Sequence, residues 1–210
     1  MKNDVIIECL TEDNPFNPYK AVAIYRYGSH VYGTVGPQSD IDVIMVSDID
    51  EPYVQFHRGD FNCTTFSIKE FKKRLKEHDM TMLECVFLPD NLIVKDDSNF
   101  LETLEIDKYQ LRRAVSEKAS NSFVKAKKKF IVDESRNIYV GKKSLFHSLR
   151  LPMFGKQIAE QGRITDYSVA NHYWPRIRDC AIDDWKYYKK TYQPIFNNIM
   201  SEFRKVAPKK

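Results

Sequence analysis

The chain has 210 residues, with 33 Lys and Arg against 29 Asp and Glu, for a formal net charge of +4. With 13% aromatic and 30% charged residues, the composition excludes a disordered chain, and no apolar run approaches the ~18 residues of a membrane-spanning helix. The four cysteines form no C-x-x-C pair, which argues against a zinc site or a disulfide framework. We therefore expect a cytoplasmic protein with reduced thiols and no membrane partner, whose mild basic excess permits an anionic partner.

The N-terminal part of the chain leads to a turn suited to phosphate. Val5 to Leu10 is predicted as a short strand and Ala21 to Tyr27 as another. Gly28-Ser29 then turns the chain into a short helix, whose free amides and dipole suit a phosphate, and the glycine lets another group approach its backbone closely. We predict that Gly28 and Ser29 bind phosphate.

Two acidic residues flank the start of the next predicted strand, Ile41 to Val46. Asp40 and Asp42 are two residues apart, so their carboxylates project from the same face of the strand. Such a pair needs a cation when it is buried or half-buried, and Mg²⁺ fits carboxylates and substrate phosphates best, with Mn²⁺ as an alternative. On its own, Gly28-Ser29 fits an ordinary turn, and the aspartate pair on its own fits a solvated strand end. Together, in this order, they predict a nucleotide-phosphate and metal site.

A third carboxylate is expected on a neighbouring strand, because two-metal phosphoryl transfer uses one to hold the metal that activates the attacking hydroxyl. Tyr53 to His57 and Phe61 to Phe66 are predicted as a hairpin joined by an Arg-Gly-Asp turn. The polar face of the second strand carries Asp60 and Asn62. We predict Asp60 as the catalytic metal ligand, with a turn-capping role as the alternative. Glu84, inside an apolar stretch, is the reserve candidate.

The remaining chain changes from mixed elements to long helices. A Ser-x-x-Glu capping box predicts a helix from Ile68 to Glu77, whereas Met82 to Leu88 fits either a buried strand or a short helix. Long helices are predicted over residues 111–130, 141–159 (bent by Pro152) and 183–206 (interrupted near Pro194). The fold class is therefore α+β. A small mixed β-sheet core flanked by helices is expected in residues 1–105, with a C-terminal helical subdomain, residues 106–210, packed on it.

Basic residues on the predicted helices form two candidate contact surfaces. Lys143, His147 and Arg150 stand at i, i+4 and i+7 and share a helix face, which suits a triphosphate or an RNA backbone. A solvated helix face is the alternative. The lysines between residues 125 and 129 allow the same two interpretations, RNA contact or a solvated helix end favoured by the helix dipole.

These motifs resemble the active-site signature of the DNA polymerase β superfamily of nucleotidyltransferases, in which Gly-Ser binds the triphosphate and Asp-x-Asp binds the metals. A narrower resemblance, to the RNA-ligase-associated nucleotidyltransferases of bacteria and phages, covers nearly the whole chain. It includes Tyr32-Gly33, Ser39 before the two acids, the segment 82–87 and the basic helix motif. It implies that Ser39, Lys143, His147 and Arg150 join Gly28 and Ser29 as nucleotide-binding residues.

The resemblance implies Mg²⁺-dependent transfer of a nucleoside monophosphate from a nucleoside triphosphate to an acceptor hydroxyl. We expect the acceptor to be an RNA end, in repair or modification, inside a bacterial or phage-infected cell. One alternative is nucleotidylation of a protein or small molecule. Another is a catalytically silent nucleic-acid-binding or phage–host interaction protein that keeps the fold. The superfamily's third carboxylate falls at Asp60 or Asn62, and with Asn62 it would be missing.

Overall fold

The computed structural model describes residues 3–11, 17–37 and 39–209, except for the side chain of Asp133. The chain divides into two compact units, Met1–Glu105 and Ile106–Lys210. The first combines a sheet with helices, and the second is helical over its described residues. The α+β fold class expected from the sequence is therefore confirmed.

The first unit is built on a mixed sheet of five strands over its described residues: β1 (Ala23–Tyr27), β2 (Ile41–Ser47), β3 (Tyr53–Arg58), β4 (Phe61–Ser67) and β5 (Ile93–Asp96). Its helices are α1 (Asn3–Thr11), α2 (Ser29–Tyr32), α3 (Ile68–Lys76) and α4 (Met80–Val86). The strand order is β3-β4-β2-β1-β5, in which β2 and β4 are parallel and the other neighbours are antiparallel. The central strand of the sheet is therefore β2, which begins directly after Asp40.

Helices cover both faces of this sheet. On one face α1 buries Ile6 and Leu10 in a cluster with Ile24, Val43 and Met45. On the other face Tyr25 stacks on Phe71 of α3, with ring centroids 6.1 Å apart. Alternate residues of a strand face opposite sides, so Asp42 projects on the same side as α3 rather than toward α1.

Two segments of this unit, Val5 to Leu10 and most of Met82 to Leu88, are helical in the structure. Val5 to Leu10 is not a strand but part of α1, because Ile6 and Leu10, four residues apart, are buried together while Val5 is 40% exposed. Of the two alternatives for Met82 to Leu88, the helix is correct, and the Asp79 side chain caps α4 by accepting from the Thr81 amide.

The capping box at the start of α3 is half formed. The Ser67 hydroxyl accepts from the Glu70 amide at 3.1 Å, as predicted. The Glu70 carboxylate does not return the bond to Ser67 but pairs with Arg74 at 2.7 Å, and the Ser67 amide donates to the Pro52 carbonyl. The helix starts where the sequence predicts, with a different partner for its glutamate.

The second unit consists of α5 (Lys108–Ile131), α6 (Ile138–Gln161), α7 (Trp174–Arg178) and α8 (Trp185–Val206), joined by turns. Its core includes Phe130, Leu149, Trp174, Trp185 and Tyr188. The predicted long helices are present, but α8 is continuous through Pro194 where an interruption was expected, and α7 was not predicted. In the part of the chain that the structure describes, no helix combines the length and the apolar character needed to cross a membrane.

The two units carry opposite charges, which the mild excess of the whole chain conceals. Residues 1–105 contain 10 Lys and Arg against 19 Asp and Glu, a formal charge of −9. Residues 106–210 contain 23 against 10, a formal charge of +13. A strong positive charge confined to one unit is typical of proteins that contact nucleic acid.

Candidate nucleotide and metal site

The Asp42 carboxylate lies directly over Gly28. Residues Tyr27 and Asp42 pair across β1 and β2, so the turn that follows β1 starts beside the acid. A Cβ built on Gly28 would lie only 1.9 Å from Oδ2 of Asp42. Gly28 also has φ 71° and ψ −148°, a conformation that is essentially restricted to glycine. The turn therefore requires glycine for two independent reasons, its conformation and the carboxylate above it.

The Gly-Ser turn leads into α2, a single helical turn of four residues. The Val31 and Tyr32 amides donate to the Gly28 carbonyl, and the Thr34 amide donates to the Ser29 carbonyl. Gly33 closes the helix in the left-handed conformation. Because so short a helix has little dipole, phosphate binding here would depend on local amides and on the half-buried Ser29 side chain.

Ser39 contributes to the loop before β2. Its hydroxyl accepts from the Gly36 amide at 2.9 Å, and its own amide donates to the Gly36 carbonyl at 3.0 Å. These two bonds hold the chain immediately before Asp40, which is exposed. The structure thus gives Ser39 a role in loop geometry, and its contact with nucleotide stays a prediction.

Asn62 is the partner of Asp42 on the neighbouring strand. The parallel register of β2 and β4 places the two residues side by side. The Asn62 Nδ2 donates to Oδ1 of Asp42 at 2.8 Å. Of the two positions considered for the third carboxylate, the one beside Asp42 is therefore an amide.

Asp60 lies one position before the start of β4, in the hairpin turn. Its side chain is exposed, and its carbonyl accepts from the Ile41 amide at 2.7 Å, which fixes the register of β4 against β2. The observed contact is made by its backbone. The role of Asp60 as a catalytic metal ligand stays a prediction.

Glu84, the reserve candidate, is buried in α4 with 1% of its surface exposed. The Tyr32 hydroxyl donates a hydrogen bond to its Oε2, which ties α2 to α4. Burial, and after it the charge of Glu84, raises the pKa of the Tyr27 phenol, whose ring packs edge-on against Tyr32. The hydrogen bond between Tyr32 and Glu84 thus holds the single turn of α2 against α4. The apolar sequence around Glu84 indicates that this acid needs a partner, but it does not identify Tyr32 as that partner.

The three basic-helix residues of α6 do not form a uniform cationic stripe. Lys143 is exposed, with its Nζ 5.5 Å from the centroid of the Tyr139 ring. Arg150 is only 5% exposed, and its guanidinium donates to Nδ1 of His147 at 2.8 Å. Because a guanidinium can only donate, that ring nitrogen must be an acceptor, so His147 is neutral with its proton on Nε2.

The electrostatic environment agrees with a neutral His147. Burial, followed by the positive charges of Arg150, Lys118 and Lys125, holds the pKa of His147 well below its ordinary value. Arg150 also lies over the rings of Phe146 and Phe154, with centroid distances of 5.4 and 5.7 Å. The sequence predicts three potential cations on this face, but only two are charged in the structure. Of these, Lys143 is exposed and Arg150 is buried. Binding of nucleotide or RNA by these residues stays a prediction.

The donor set of the first unit fits one divalent cation. Asp42 lies in β2 and the exposed Asp40 directly precedes that strand, and Mg²⁺ is commonly held by one or two carboxylates together with substrate phosphates. Among the described residues, no group of three or more His, Cys, Asp or Glu side chains is placed to hold a metal. The two aspartates, completed by phosphate oxygens, are thus the residues that would hold it.

In this small mixed sheet, a glycine turn lies beside the strand that begins at the Asp-x-Asp motif. This arrangement defines a class of domain that binds nucleoside phosphates. Comparison with protein families leads to the same class. The profile described as "Nucleotidyltransferase domain" matches residues 5–138, and the chain belongs to this family. Membership of this family indicates that the protein is a transferase that uses a nucleotide substrate. Members of the family typically use divalent metals. Lys143, His147 and Arg150 lie beyond the matched residues.

Comparison with solved structures finds a nucleotidyltransferase-like protein from Exiguobacterium sibiricum 255-15. The two are 12% identical, with a TM-score of 0.35, over 96% of this chain and 74% of that chain. No curated protein matches the chain.

Proposed function

We propose that the protein transfers a nucleoside monophosphate from a nucleoside triphosphate to a hydroxyl at an RNA end, in a Mg²⁺-dependent reaction. The observation that carries this proposal is the close approach of Asp42 to Gly28 in a chain of the nucleotidyltransferase family. It brings the predicted phosphate turn and the predicted metal ligand into direct contact. The triphosphate would lie against Gly28 and Ser29, with its cation on Asp40 and Asp42.

In this reaction the acceptor oxygen forms a bond to the α-phosphorus while the bond to the leaving pyrophosphate breaks. The hydroxyl proton is lost to solvent. When bound, Mg²⁺ neutralises the charge on the phosphoryl oxygens, so the protein needs chiefly to position its two substrates. The residues of the turn would orient the triphosphate, and Asp40 and Asp42 would hold the cation that accompanies it.

The charge of the helical unit supports RNA as the acceptor. A formal charge of +13 over residues 106–210 would be attracted to a polyanion and less strongly to a small neutral substrate. Lys125, Lys127 and Lys128 of α5 are exposed, whereas Lys129 donates to the Ser135 carbonyl at 3.0 Å. Three of the four clustered lysines are thus presented to solvent. The narrower resemblance to RNA-ligase-associated enzymes favours the same acceptor.

One observation favours a second function. Asn62 stands beside Asp42 where two-metal chemistry would use a carboxylate. A protein that binds nucleotide and RNA but transfers nothing would have this property. This silent form is therefore the second candidate, and transfer to a protein or small molecule is a further outcome of the same experiment.

The test is transfer of label from α-³²P nucleoside triphosphates, with RNA ending in a 3′ hydroxyl, RNA ending in a 3′ phosphate, and bulk protein as acceptors. The proposal expects Mg²⁺-dependent labelling of the hydroxyl-ended RNA. Asp40→Asn with Asp42→Asn should abolish it. The matched control is Asp48→Asn with Asp50→Asn, two exposed acids with the same Asp-Ile-Asp spacing in the loop after β2. Label on protein, or binding of triphosphate without transfer, would replace the proposal with one of its alternatives.

A further inference from the structure

The inference concerns Asn62 and rests on the proposed function. β2 and β4 run parallel in register, with Asp42 opposite Asn62 and their side chains on one face of the sheet. The 2.8 Å bond between Asn62 Nδ2 and Asp42 Oδ1 fixes the orientation of both groups. With Oδ2 lying over Gly28, each oxygen of the Asp42 carboxylate has a defined neighbour.

The amide changes what this position can bind. A carboxylate at residue 62 would repel Asp42 and the pair would be stable only with a cation between them. The amide instead places a partial positive hydrogen against Oδ1, which relieves the charge of Asp42 without metal. A second cation approaching between the two side chains would meet that hydrogen.

We propose that Asn62 is a positioning residue that orients the Asp42 carboxylate and limits this site to one divalent cation, the one that accompanies the triphosphate. The nearest acid along β4, Asp60, is exposed in the hairpin turn. No described group of three acids or other ligands replaces the missing one. The site is therefore arranged to hold a metal–nucleotide complex, and its second metal position is closed by a hydrogen bond.

The test counts Mn²⁺ by electron paramagnetic resonance in the full chain saturated with a triphosphate whose α–β bridge is a non-hydrolysable methylene group. The wild type should bind one Mn²⁺ per chain with nucleotide, and Asn62→Asp should bind two. Asn62→Ala, which removes the donor without adding a carboxylate, should still bind one. Asp60→Asn should leave the count at one. A merely structural role for Asn62 would not change the number of cations.

A melting experiment keeps the test valid if Asn62→Asp is poorly folded without metal. The apo variant should melt below the wild type because two carboxylates then face each other, and Mn²⁺ should raise its melting temperature more than that of the wild type. Two cations in the wild type, one in folded Asn62→Asp, or loss of a cation in Asp60→Asn would each overturn the inference while leaving nucleotide binding intact. Absence of both Mn²⁺ and nucleotide binding in every variant would overturn the proposed function with it.

Discussion

The carboxylate of Asp42 occupies the space that a side chain at Gly28 would need. Oδ2 of Asp42 lies 1.9 Å from the position of a Cβ at residue 28. The two residues stand at opposite ends of the segment between β1 and β2, and the pairing of these strands makes them neighbours. The phosphate turn and the acidic strand therefore depend on each other's geometry.

Gly28→Ala should remove nucleotide binding as well as stability. The new methyl group must displace Asp42, and the backbone conformation adds a strain of ~1–3 kcal/mol. Gly59→Ala is the matched control, since Gly59 also has a positive φ, of 51°, but has open space around its Cβ position. We expect stabilisation by Mg²⁺ and a non-hydrolysable triphosphate to persist in Gly59→Ala and to vanish in Gly28→Ala. Equal stabilisation in both variants would show that Asp42 can move without consequence.

The buried pair of Tyr32 and Glu84 predicts a loss of stability without a change in metal requirement. Tyr32→Phe removes a hydrogen bond to a buried carboxylate and should cost ~1.5–3 kcal/mol in the free energy of unfolding, measured with urea. Tyr53→Phe, at a residue that is 49% exposed, should cost much less. If Glu84→Gln instead raises the Mg²⁺ concentration needed for half-maximal transfer, Glu84 is the third ligand.

His147 predicts a specific pH dependence. Its pKa is lowered in the folded protein, so on acidification the unfolded chain takes up the proton first, and stability is lost as the pH falls below about 6.5. His147→Asn retains an acceptor for Arg150 and cannot titrate. Its free energy of unfolding should fall less between pH 7.5 and pH 5, by up to ~1.4 kcal/mol per pH unit. The exposed His172→Asn serves as control, and parallel curves for His147→Asn and wild type would contradict the neutral assignment.

The exposed lysines of α5 predict a change in the salt dependence of RNA binding. For single-stranded RNA, each lysine that neutralises a phosphate adds ~0.7 to the steepness of the plot of log binding constant against log salt concentration. Replacing Lys125, Lys127 and Lys128 by Gln should therefore make this slope shallower by up to about 2. The control replaces three exposed lysines of α3, in the acidic unit, namely Lys72, Lys73 and Lys76. An unchanged slope in the α5 variant would assign those lysines to the solvated helix end.

The parts of the fold that follow from local signals were predictable. Ser67 and Asp107 cap α3 and α5 near the positions where the sequence indicates a helix start, because capping depends only on neighbouring residues. The Asp-x-Asp strand was equally clear, since its apolar run is long enough to be a buried strand. The first helix was missed, because a nine-residue segment offers few turns in which a helical period can be recognised.

The details of the candidate site required tertiary structure. The sequence predicts Asp60 and Asn62 on the same polar strand face, and only the parallel register of β2 and β4 shows which of them lies beside Asp42. His147 and Arg150 are both basic in the sequence, but burial and their mutual hydrogen bond make one of them neutral. Spacing along the chain indicates which residues share a face. It does not show whether that face is solvated.

The most direct test of the central claim is the stabilisation of the protein by Mg²⁺ with a non-hydrolysable triphosphate. At about 100 times the dissociation constant, the complex should raise the free energy of unfolding by ~2.7 kcal/mol in the wild type and in the control Asp48→Asn with Asp50→Asn. Asp40→Asn with Asp42→Asn should abolish this gain, while the apo variant should stay folded, because Asp40 is exposed and the side-chain oxygen of an asparagine at residue 42 can still accept from Asn62. A double variant that keeps the gain, or that unfolds without ligand, would show that the aspartates are structural and contradict the assignment of the nucleotide site.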